Sequence, residues 1–329
     1  MDFNVVGVGE VLWDLLLTGP QLGGAPANFA YHAHALGAQA QVITRVGKDD
    51  YGREIIRRFR EMGLPHSTVQ VDEAAPTGTA KVALSGNGLA HFTIQEDVAW
   101  DHIALTREAV GVASKADAIC FGSLAQRCEL SRTTIQKLVE ASPPLALRVF
   151  DINLRQQFFS RPLIEQSLQL ANVLKMNDDE LPTLAAMFDL VGSTGDSSCS
   201  ADTPARAEDC FAAGTRTGVS ALHKVEHQIE RLAQTFNLKL VALTRGPNGS
   251  LLYQEGRWSD CPSRPAKVVD TVGAGDSFTA ALVLGLLRKM DLDEINHIAN
   301  EVARYVCSQA GATPPMPSEF ARKFSVTPQ

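Results

Sequence analysis

Short apolar runs alternate with longer stretches of helical apolar spacing along most of the chain. The runs at 5–8, 40–46, 118–121 and 173–176 have the length of buried strands. Strands that alternate with helices predict a mostly parallel sheet covered by helices on both faces, and hence an α/β fold. The further strand candidates are 145–150 and 239–244, and the helix candidates are 27–36, 51–62, 221–236, 274–288 and 292–310.

Two segments depart from this alternation. In the first, strand-like runs at 79–84 and 91–95 flank the turn-forming sequence SGNG at 85–88, which predicts a β-hairpin attached to the main sheet. The second, at about 192–220, is rich in Ser, Thr, Gly, Asp and Ala without a sustained apolar period, which predicts a surface insertion. Since no repeat or linker interrupts the rest, we expect one domain over residues 1–329.

Charge and composition exclude several classes of function. The formal net charge is −7, so the basic surface typical of nucleic-acid binding is absent from the sequence. The apolar run at 5–17 contains Glu10 and Asp14 and is too short to span a bilayer, and without a basic region or a small-residue cleavage site it is not expected to be a signal peptide. The six cysteines form no CxxC pair, which favours reduced thiols and a cytoplasmic location.

The segment at 270–278, DTVGAGDSF, follows a strand-like pair at 268–269 and opens an apolar helix. Its glycines permit close approach of a ligand, and amides at a helix N-terminus attract phosphate. Asp276, in the first helical turn, is placed to accept a proton from an attacking hydroxyl. An Asp at a helix start is also a common helix cap, so the residue pattern alone leaves both interpretations open.

This segment resembles the C-terminal signature of PfkB carbohydrate kinases, DTxGAGDxF, at every fixed position. The resemblance implies a ribokinase-like three-layer sandwich, with a lid formed by strands from about 10–18 and 77–99. It also implies transfer of a phosphoryl group from ATP to a sugar hydroxyl. Asp276 would be the catalytic base, and the amides of Gly273, Ala274 and Gly275 would form the anion hole.

Two N-terminal segments resemble the sugar-binding motifs of the same family. The sequence GGAPANFA at 23–30 is similar to the family motif GGxxxN, and GEVLWD at 9–14 is similar to the opening of fructokinase-like members. The implied sugar-binding residues are Asp14, Gly23, Gly24 and Asn28. Asn28 offers both a donor and an acceptor to sugar hydroxyls, although a tight turn with a capping Asn explains the same residues.

The sequence DINLR at 151–155 resembles the DxNLR element of fructokinases and ketodeoxygluconate kinases. The resemblance implies that Asn153 contributes to the acceptor site. It places Arg155 at the cleft, where a guanidinium could hold the transferred phosphate through two hydrogen bonds. A surface salt bridge is an equally good explanation of Arg155.

Residues expected to bind ATP and magnesium follow from two more resemblances. The sequence NDDE at 177–180 matches the family's NxxE element, in which Asn177 and Glu180 would hold Mg²⁺ through water; an ordinary interaction of acids with a helix dipole is the alternative. The sequence TRGPNG at 244–249 resembles TxGxxG. The implied nucleotide-binding residues are Thr244, Arg245, Gly246, Gly249 and Asn300. Potassium is a further cofactor implied by the resemblance, and a homodimer formed through the lid is a further expectation.

Fructose is the favoured acceptor because three segments, 23–30, 151–155 and GATPPMP at 311–317, are most similar to fructokinases. Ketodeoxygluconate, ribose and nucleosides stay open. A dinucleotide-dependent oxidoreductase is disfavoured because Leu12 replaces the third glycine of GxGxxG. A non-catalytic sugar-binding regulator would lack the catalytic base, whereas Asp276 is present.

Overall fold

The computed structural model describes residues 3–16, 19–84, 90–190, 213–265 and 267–325. The strands within these residues are β1 Asn4–Val8, β2 Leu12–Leu16, β3 Gly19–Gly23, β4 Gln39–Gly47, β5 Val69–Asp72, β6 Thr79–Leu84, β7 Ala90–Ile94, β8 Ala118–Phe121, β9 Leu147–Asp151, β10 Val173–Asn177, β11 Leu240–Thr244, β12 Ser250–Gln254 and β13 Arg257–Cys261. The helices are α1 Ala25–Ala35, α2 Asp50–Glu61, α3 Arg107–Ala113, α4 Glu129–Ala141, α5 Arg161–Leu170, α6 Leu181–Met187, α7 Ala213–Phe236, α8 Ala274–Leu287, α9 Leu292–Cys307 and α10 Ser318–Lys323.

The larger sheet has nine strands in the order β13-β12-β11-β10-β9-β8-β1-β4-β5. The strands from β11 to β5 pair in parallel, and β12 and β13 complete one edge as an antiparallel hairpin. The carboxyl ends of β1, β8, β9, β10 and β11 therefore lie along one edge of the sheet, where ligands bind in open α/β folds. The predicted α/β fold is confirmed.

Alternate residues of each central strand enter different hydrophobic cores. Val6, Phe121 and Phe150 pack with α3, α4, α5, α6 and α7 on one face. Their sequence neighbours Val5 and Val149 pack with α1, α2, α8 and α9 on the other face. Side chains of successive strand residues point to opposite faces, so apolar runs without alternation are what a sheet covered on both sides requires. The result is a three-layer sandwich.

A second, smaller sheet has the order β3-β2-β6-β7. Its two antiparallel hairpins are joined by parallel pairing of β2 with β6, in the register Trp13 to Thr79 and Asp14 to Ala80. β2, β6 and β7 lie in the two segments that the sequence assigns to a lid, whereas β3 lies just beyond the first of them. The turn predicted at 85–88 lies outside the described residues.

Two boundaries differ from the sequence predictions. The helix predicted at 221–236 begins at Ala213, so the C-terminal part of the predicted insertion is helical; the residues 191–212 lie outside the described part. Residues 268–269 do not form a strand, because among the described residues no strand pairs with them. Val268 and Val269 are 61% and 56% exposed. The backbone amide of Val269 donates to Cys307 O at 2.8 Å, at the end of α9. Among the described residues, no helix has both the length and the apolar character needed to cross a membrane.

Candidate active site

The glycine-rich turn before α8 has the geometry of an anion site. Gly273 adopts the left-handed region, with φ 78°, and a Cβ there would lie 2.3 Å from Ala312 O, so only glycine fits. The first hydrogen bond of α8 runs from Ser277 N to Gly273 O, at 2.9 Å. Within the described part of the chain, the amides of Gly273, Gly275 and Asp276 donate no hydrogen bond, so they can bind a ligand at the helix N-terminus. Ala274 N donates to Thr271 O over a long 3.3 Å.

Asp270 fixes this turn to the loop after α9. One of its carboxylate oxygens accepts from Val272 N at 3.0 Å, and the other accepts from Gly311 N at 3.1 Å. Gly311 directly precedes Ala312, whose carbonyl packs on Gly273. The Asp270–Gly311 hydrogen bond and the Ala312–Gly273 contact therefore join the same two loops. The conformation of the turn is thus set by the end of the chain as well as by its own sequence.

Asp276 makes the contact that joins the N-terminal and C-terminal motifs. Asn28 Nδ2, on the buried face of α1, donates to Asp276 Oδ2 at 2.8 Å. Burial and the charge of Asp151 raise the pKa of Asp276 to about 6, although the hydrogen bond from Asn28 acts in the opposite direction. A carboxylate with this pKa is ionised near neutral pH and still basic enough to accept a proton.

A buried ion pair lies beneath the turn. Lys175 Nζ is 3.1 Å from Asp151 Oδ1, and Thr279 Oγ1 of α8 donates to Asp151 Oδ2 at 2.9 Å. The same Nζ is 2.9 Å from the point where a Cβ on Gly275 would stand, so the positive charge is close to the free amides. Burial opposes the charged amine, but nearby carboxylates outweigh it and raise the pKa of Lys175.

Glu10 is a second buried acid near Asp276. It follows β1 and is 1% exposed, and among the described residues its Oε2 has no hydrogen-bond partner. Burial raises the pKa of Glu10 to about 7, and the charge of Asp276 acts in the same direction. Protonation of Glu10 would remove the repulsion between the two carboxyls.

The smaller sheet carries Asp14 to the same end of the main sheet. Gly23, on β3, lies opposite Leu12 of β2. A Cβ on Gly23 would lie 2.4 Å from Asp14 Oδ2, so the glycine leaves room for the carboxylate. Burial raises the pKa of Asp14 to about 6, and the charge of Arg155 lowers it in part. Arg155 also lowers the pKa of Asp276, so one exposed guanidinium faces both carboxyls.

The loop after β9 presents Arg155. Asn153 takes a positive φ of 44°, and its carbonyl accepts from Ser123 Oγ at 3.4 Å. Leu154 N donates to Glu180 Oε1 at 2.8 Å, which fixes the backbone next to Arg155. Asn153 and Arg155 thus lie on one loop, at the carboxyl ends of β8, β9 and β10.

Asn177 and Glu180 bond to each other. Asn177 N donates to Glu180 Oε2 at 2.8 Å, and Glu180 N donates to Asn177 Oδ1 at 2.9 Å. Both oxygens of the Glu180 carboxylate therefore hold backbone amides. Among the described residues, no group of three or more His, Cys, Asp or Glu side chains has the geometry of a metal site.

The residues predicted to bind nucleotide lie at the β11–β12 edge. Thr244 ends β11, opposite Asn177 of β10, and Gly246 and Gly249 form the turn that follows. Arg245 binds Asp260 of β13 in an ion pair and also donates to Ser250 O at 3.2 Å. Asn300 Nδ2 donates to Ser250 Oγ at 2.6 Å, so α9 is tied to the same hairpin.

Three charged residues at this site have no role assigned from the sequence: Glu10, Asp151 and Lys175. A signal was present, because Lys175 stands within a buried apolar strand and a charge there needs a partner. The partner itself could not be read from the sequence, because Asp151 lies on a different strand.

The chain resembles carbohydrate kinases over nearly all of its length. The family model "pfkB family carbohydrate kinase" matches residues 20–319. A fructokinase of Klebsiella pneumoniae is 27% identical over 314 residues, covering 92% of this chain and 91% of that protein. Fructokinase-1 of Zea mays is 26% identical over 341 residues, covering 96% and 95%.

Solved structures agree with this result. An uncharacterized sugar kinase of Pyrococcus horikoshii, in complex with ATP, superposes with a TM-score of 0.75 at 25% identity, over 98% of this chain and 100% of that one. The match to the family model extends beyond the glycine-rich turn and therefore includes it. The chain described here belongs to the pfkB family of carbohydrate kinases.

Proposed function

We propose that the protein transfers the γ-phosphoryl group of ATP to fructose, giving fructose 6-phosphate. The observation that carries the proposal is the 2.8 Å hydrogen bond from Asn28 to Asp276, which brings the glycine motif of the acceptor side to the catalytic turn. Fructose is favoured over other sugars because relatives named fructokinase match along almost the whole chain.

The reaction follows from the positions of the groups. The sugar hydroxyl would give its proton to Asp276 as its oxygen bonds to the γ-phosphorus, while the bond from that phosphorus to the bridging oxygen breaks and leaves ADP. The amides of Gly273, Ala274 and Gly275, joined by that of Asp276, would bind the phosphoryl oxygens, for which Ala274 N would exchange its long bond to Thr271 O. The nearby charge of Lys175 would favour the same negative charge. Arg155 would hold the transferred group.

Magnesium is part of the proposal through Asn177 and Glu180. Because both oxygens of Glu180 already accept backbone amides, these residues would meet the ion through water, which suits a metal that retains part of its hydration shell. When bound, the ion would neutralise charge on the phosphates of ATP. We also propose ATP binding at Thr244–Gly249 and Asn300, a potassium requirement, and a dimer formed through the smaller sheet.

A phosphorylation screen tests the proposed acceptor. Purified enzyme is given ATP and magnesium with fructose, ribose, ketodeoxygluconate or adenosine, and ADP release is measured for each. We expect the highest kcat/KM with fructose. A higher kcat/KM with another member of the panel would overturn fructose as the acceptor while leaving the kinase assignment in place.

Asp14→Ala is expected to raise the KM for the sugar and to leave the KM for ATP unchanged. Loss of one hydrogen-bonding partner of a buried hydroxyl costs roughly 1–3 kcal/mol, which corresponds to about 5-fold to 150-fold in binding. Gln21→Ala is the matched control, because Gln21 lies opposite Asp14 in the same hairpin. Initial-rate kinetics that show a larger change in the KM for ATP would mean that Asp14 does not face the sugar.

The pH dependence should show two carboxyls on the acid side. The pKa values of Asp276 and Asp14 are both raised to about 6, so both groups are protonated below that pH and ionised above it. If both must be ionised for activity, log kcat/KM falls below pH 6 more steeply than protonation of a single group would cause. Asp14→Asn should reduce the slope to that of one proton. A profile that is flat from pH 7 down to pH 5 would contradict the role of Asp276 as base.

A further inference from the structure

A buried arginine outside the reaction centre, Arg127, contacts a carboxylate, a backbone carbonyl and two aromatic rings. It follows the 3-10 turn Leu124–Gln126 after β8, and its side chain is 6% exposed. Its Nε donates to Asp101 Oδ1 at 2.8 Å and its Nη2 to Asp101 Oδ2 at 2.7 Å, which makes a bidentate pair with a carboxylate that is fully buried. Such geometry holds the guanidinium in one orientation.

The faces of this guanidinium lie against two aromatic rings. Its central carbon is 4.0 Å from the ring centroid of Trp100 and 4.6 Å from that of Phe158. Arginine can stack on rings and bind a carboxylate with two hydrogen bonds at once, whereas lysine cannot. The position therefore uses both the ring stacking and the bidentate hydrogen bonding of arginine, although Nη1 has no hydrogen-bond partner among the described residues.

Arg127 also binds the root of the smaller sheet, which is the place where Gln95, after β7, is joined to Thr79 of β6. Arg127 Nη2 donates to Gln95 O at 2.6 Å, directly after β7. Gln95 N donates to Thr79 O at 2.9 Å, and Thr79 Oγ1 donates to Gln95 Oε1 at 2.8 Å, so β6 and β7 are joined at this point. β6 in turn pairs with β2, in which Asp14 lies opposite Ala80.

Through Phe158, Arg127 also contacts the loop that carries Arg155. Phe158 N donates to Arg155 O at 3.1 Å, which closes a turn between the two residues. A shift of the Phe158 ring would therefore move the backbone of Arg155. The contacts of Arg127 connect the two segments that present Asp14 and Arg155 to the cleft.

We propose that Arg127 is a positioning residue that couples the root of the smaller sheet to the Arg155 loop and thereby sets the affinity for the sugar. A buried ion pair is no more stabilising than well-packed apolar side chains, so its contribution to stability does not explain it. What the arginine adds is a set of simultaneous contacts with Gln95, Asp101 and Phe158 in one fixed orientation. The inference rests on the proposed placement of the sugar beside Asp14 and Arg155.

Phe158→Leu tests the coupling without leaving a buried charge unpaired, because the pair of Arg127 with Asp101 stays intact. Phe159→Leu is the matched control: it is the next residue, it is partly buried against the same core, and within the described residues its ring makes no stacking contact with Arg127. We expect Phe158→Leu to raise the sugar KM about 30-fold, the size of a desolvated cation–π contact, with the ATP KM unchanged. Arg127→Lys should act in the same direction.

The sugar in this test is the member of the panel that the unmodified enzyme phosphorylates best. A wrong assignment of fructose would therefore appear in the unmodified enzyme, and a wrong coupling only in the variants. Hydrogen exchange of the free protein gives a second measurement: in Phe158→Leu the amides at 94–98 and 152–158 should exchange faster, and in Phe159→Leu those at 94–98 should not. Equal sugar KM values in the two Phe variants, or unchanged exchange at 94–98 in Phe158→Leu, would overturn the proposal.

Discussion

Asp276→Asn is expected to lower kcat by about 10²–10⁴ and to leave ATP binding nearly unchanged, because removal of a general base typically has an effect of this size. The amide has the shape of the carboxylate and can still accept the hydrogen bond that Asn28 Nδ2 donates at 2.8 Å. It cannot take the proton of the attacking hydroxyl. Steady-state turnover and a separate ATP titration measure the two quantities.

Asp178→Asn is the matched control for this prediction. Asp178 is an exposed acid after β10, and it tests whether loss of any negative charge near the cleft lowers turnover. We expect its kcat to equal that of the unmodified enzyme. If Asp276→Asn retained more than about a tenth of kcat, the loss would be too small for a general base.

Lys175→Met is expected to reduce the free energy of unfolding by about 3–5 kcal/mol, the usual effect of breaking a buried ion pair by removing one partner. Lys175 and Asp151 are only 7% and 5% exposed. After the substitution, the Asp151 carboxylate would keep the hydroxyl of Thr279 as a hydrogen-bond donor but would lose its opposite charge. Urea unfolding followed by fluorescence measures the change.

The double variant Lys175→Met with Asp151→Asn separates charge from packing. Because it removes both charges, most of the lost stability should return, while the anion turn still lacks the positive charge beside Gly275. We therefore expect a folded protein with low turnover. If the single variant Lys175→Met had the same free energy of unfolding as the unmodified protein, the Lys175–Asp151 pair would not be desolvated as described.

The fold and the glycine-rich turn before α8 were predictable because their signals are local. Buried parallel strands are continuous apolar runs, so β1, β8 and β10 stand out in the sequence. The turn before α8 needs a left-handed residue, and Gly273 supplies it within a short motif. The pair 268–269 is strand-like in sequence, but strand formation also needs a neighbouring strand, and among the described residues none pairs with it.

Contacts between distant residues could not be predicted in this way. The pairing of Arg127 with Asp101 and of Lys175 with Asp151 depends on which loops the sheet brings together, and neither pair has a sequence spacing that identifies it. The ionisation of Glu10 has the same origin. Burial raises its pKa to about 7, and so does the charge of Asp276, which is far away in sequence.

The bond from Asn28 to Asp276 also bears on biosynthesis, because it joins residues 248 positions apart. At a bacterial or eukaryotic synthesis rate of 5–20 residues per second, Asp276 is added about 12–50 s after Asn28. Until then the Asn28 side chain lacks the carboxylate that it binds in the folded protein, so the contact between α1 and α8 forms only after the start of α8 has been synthesised.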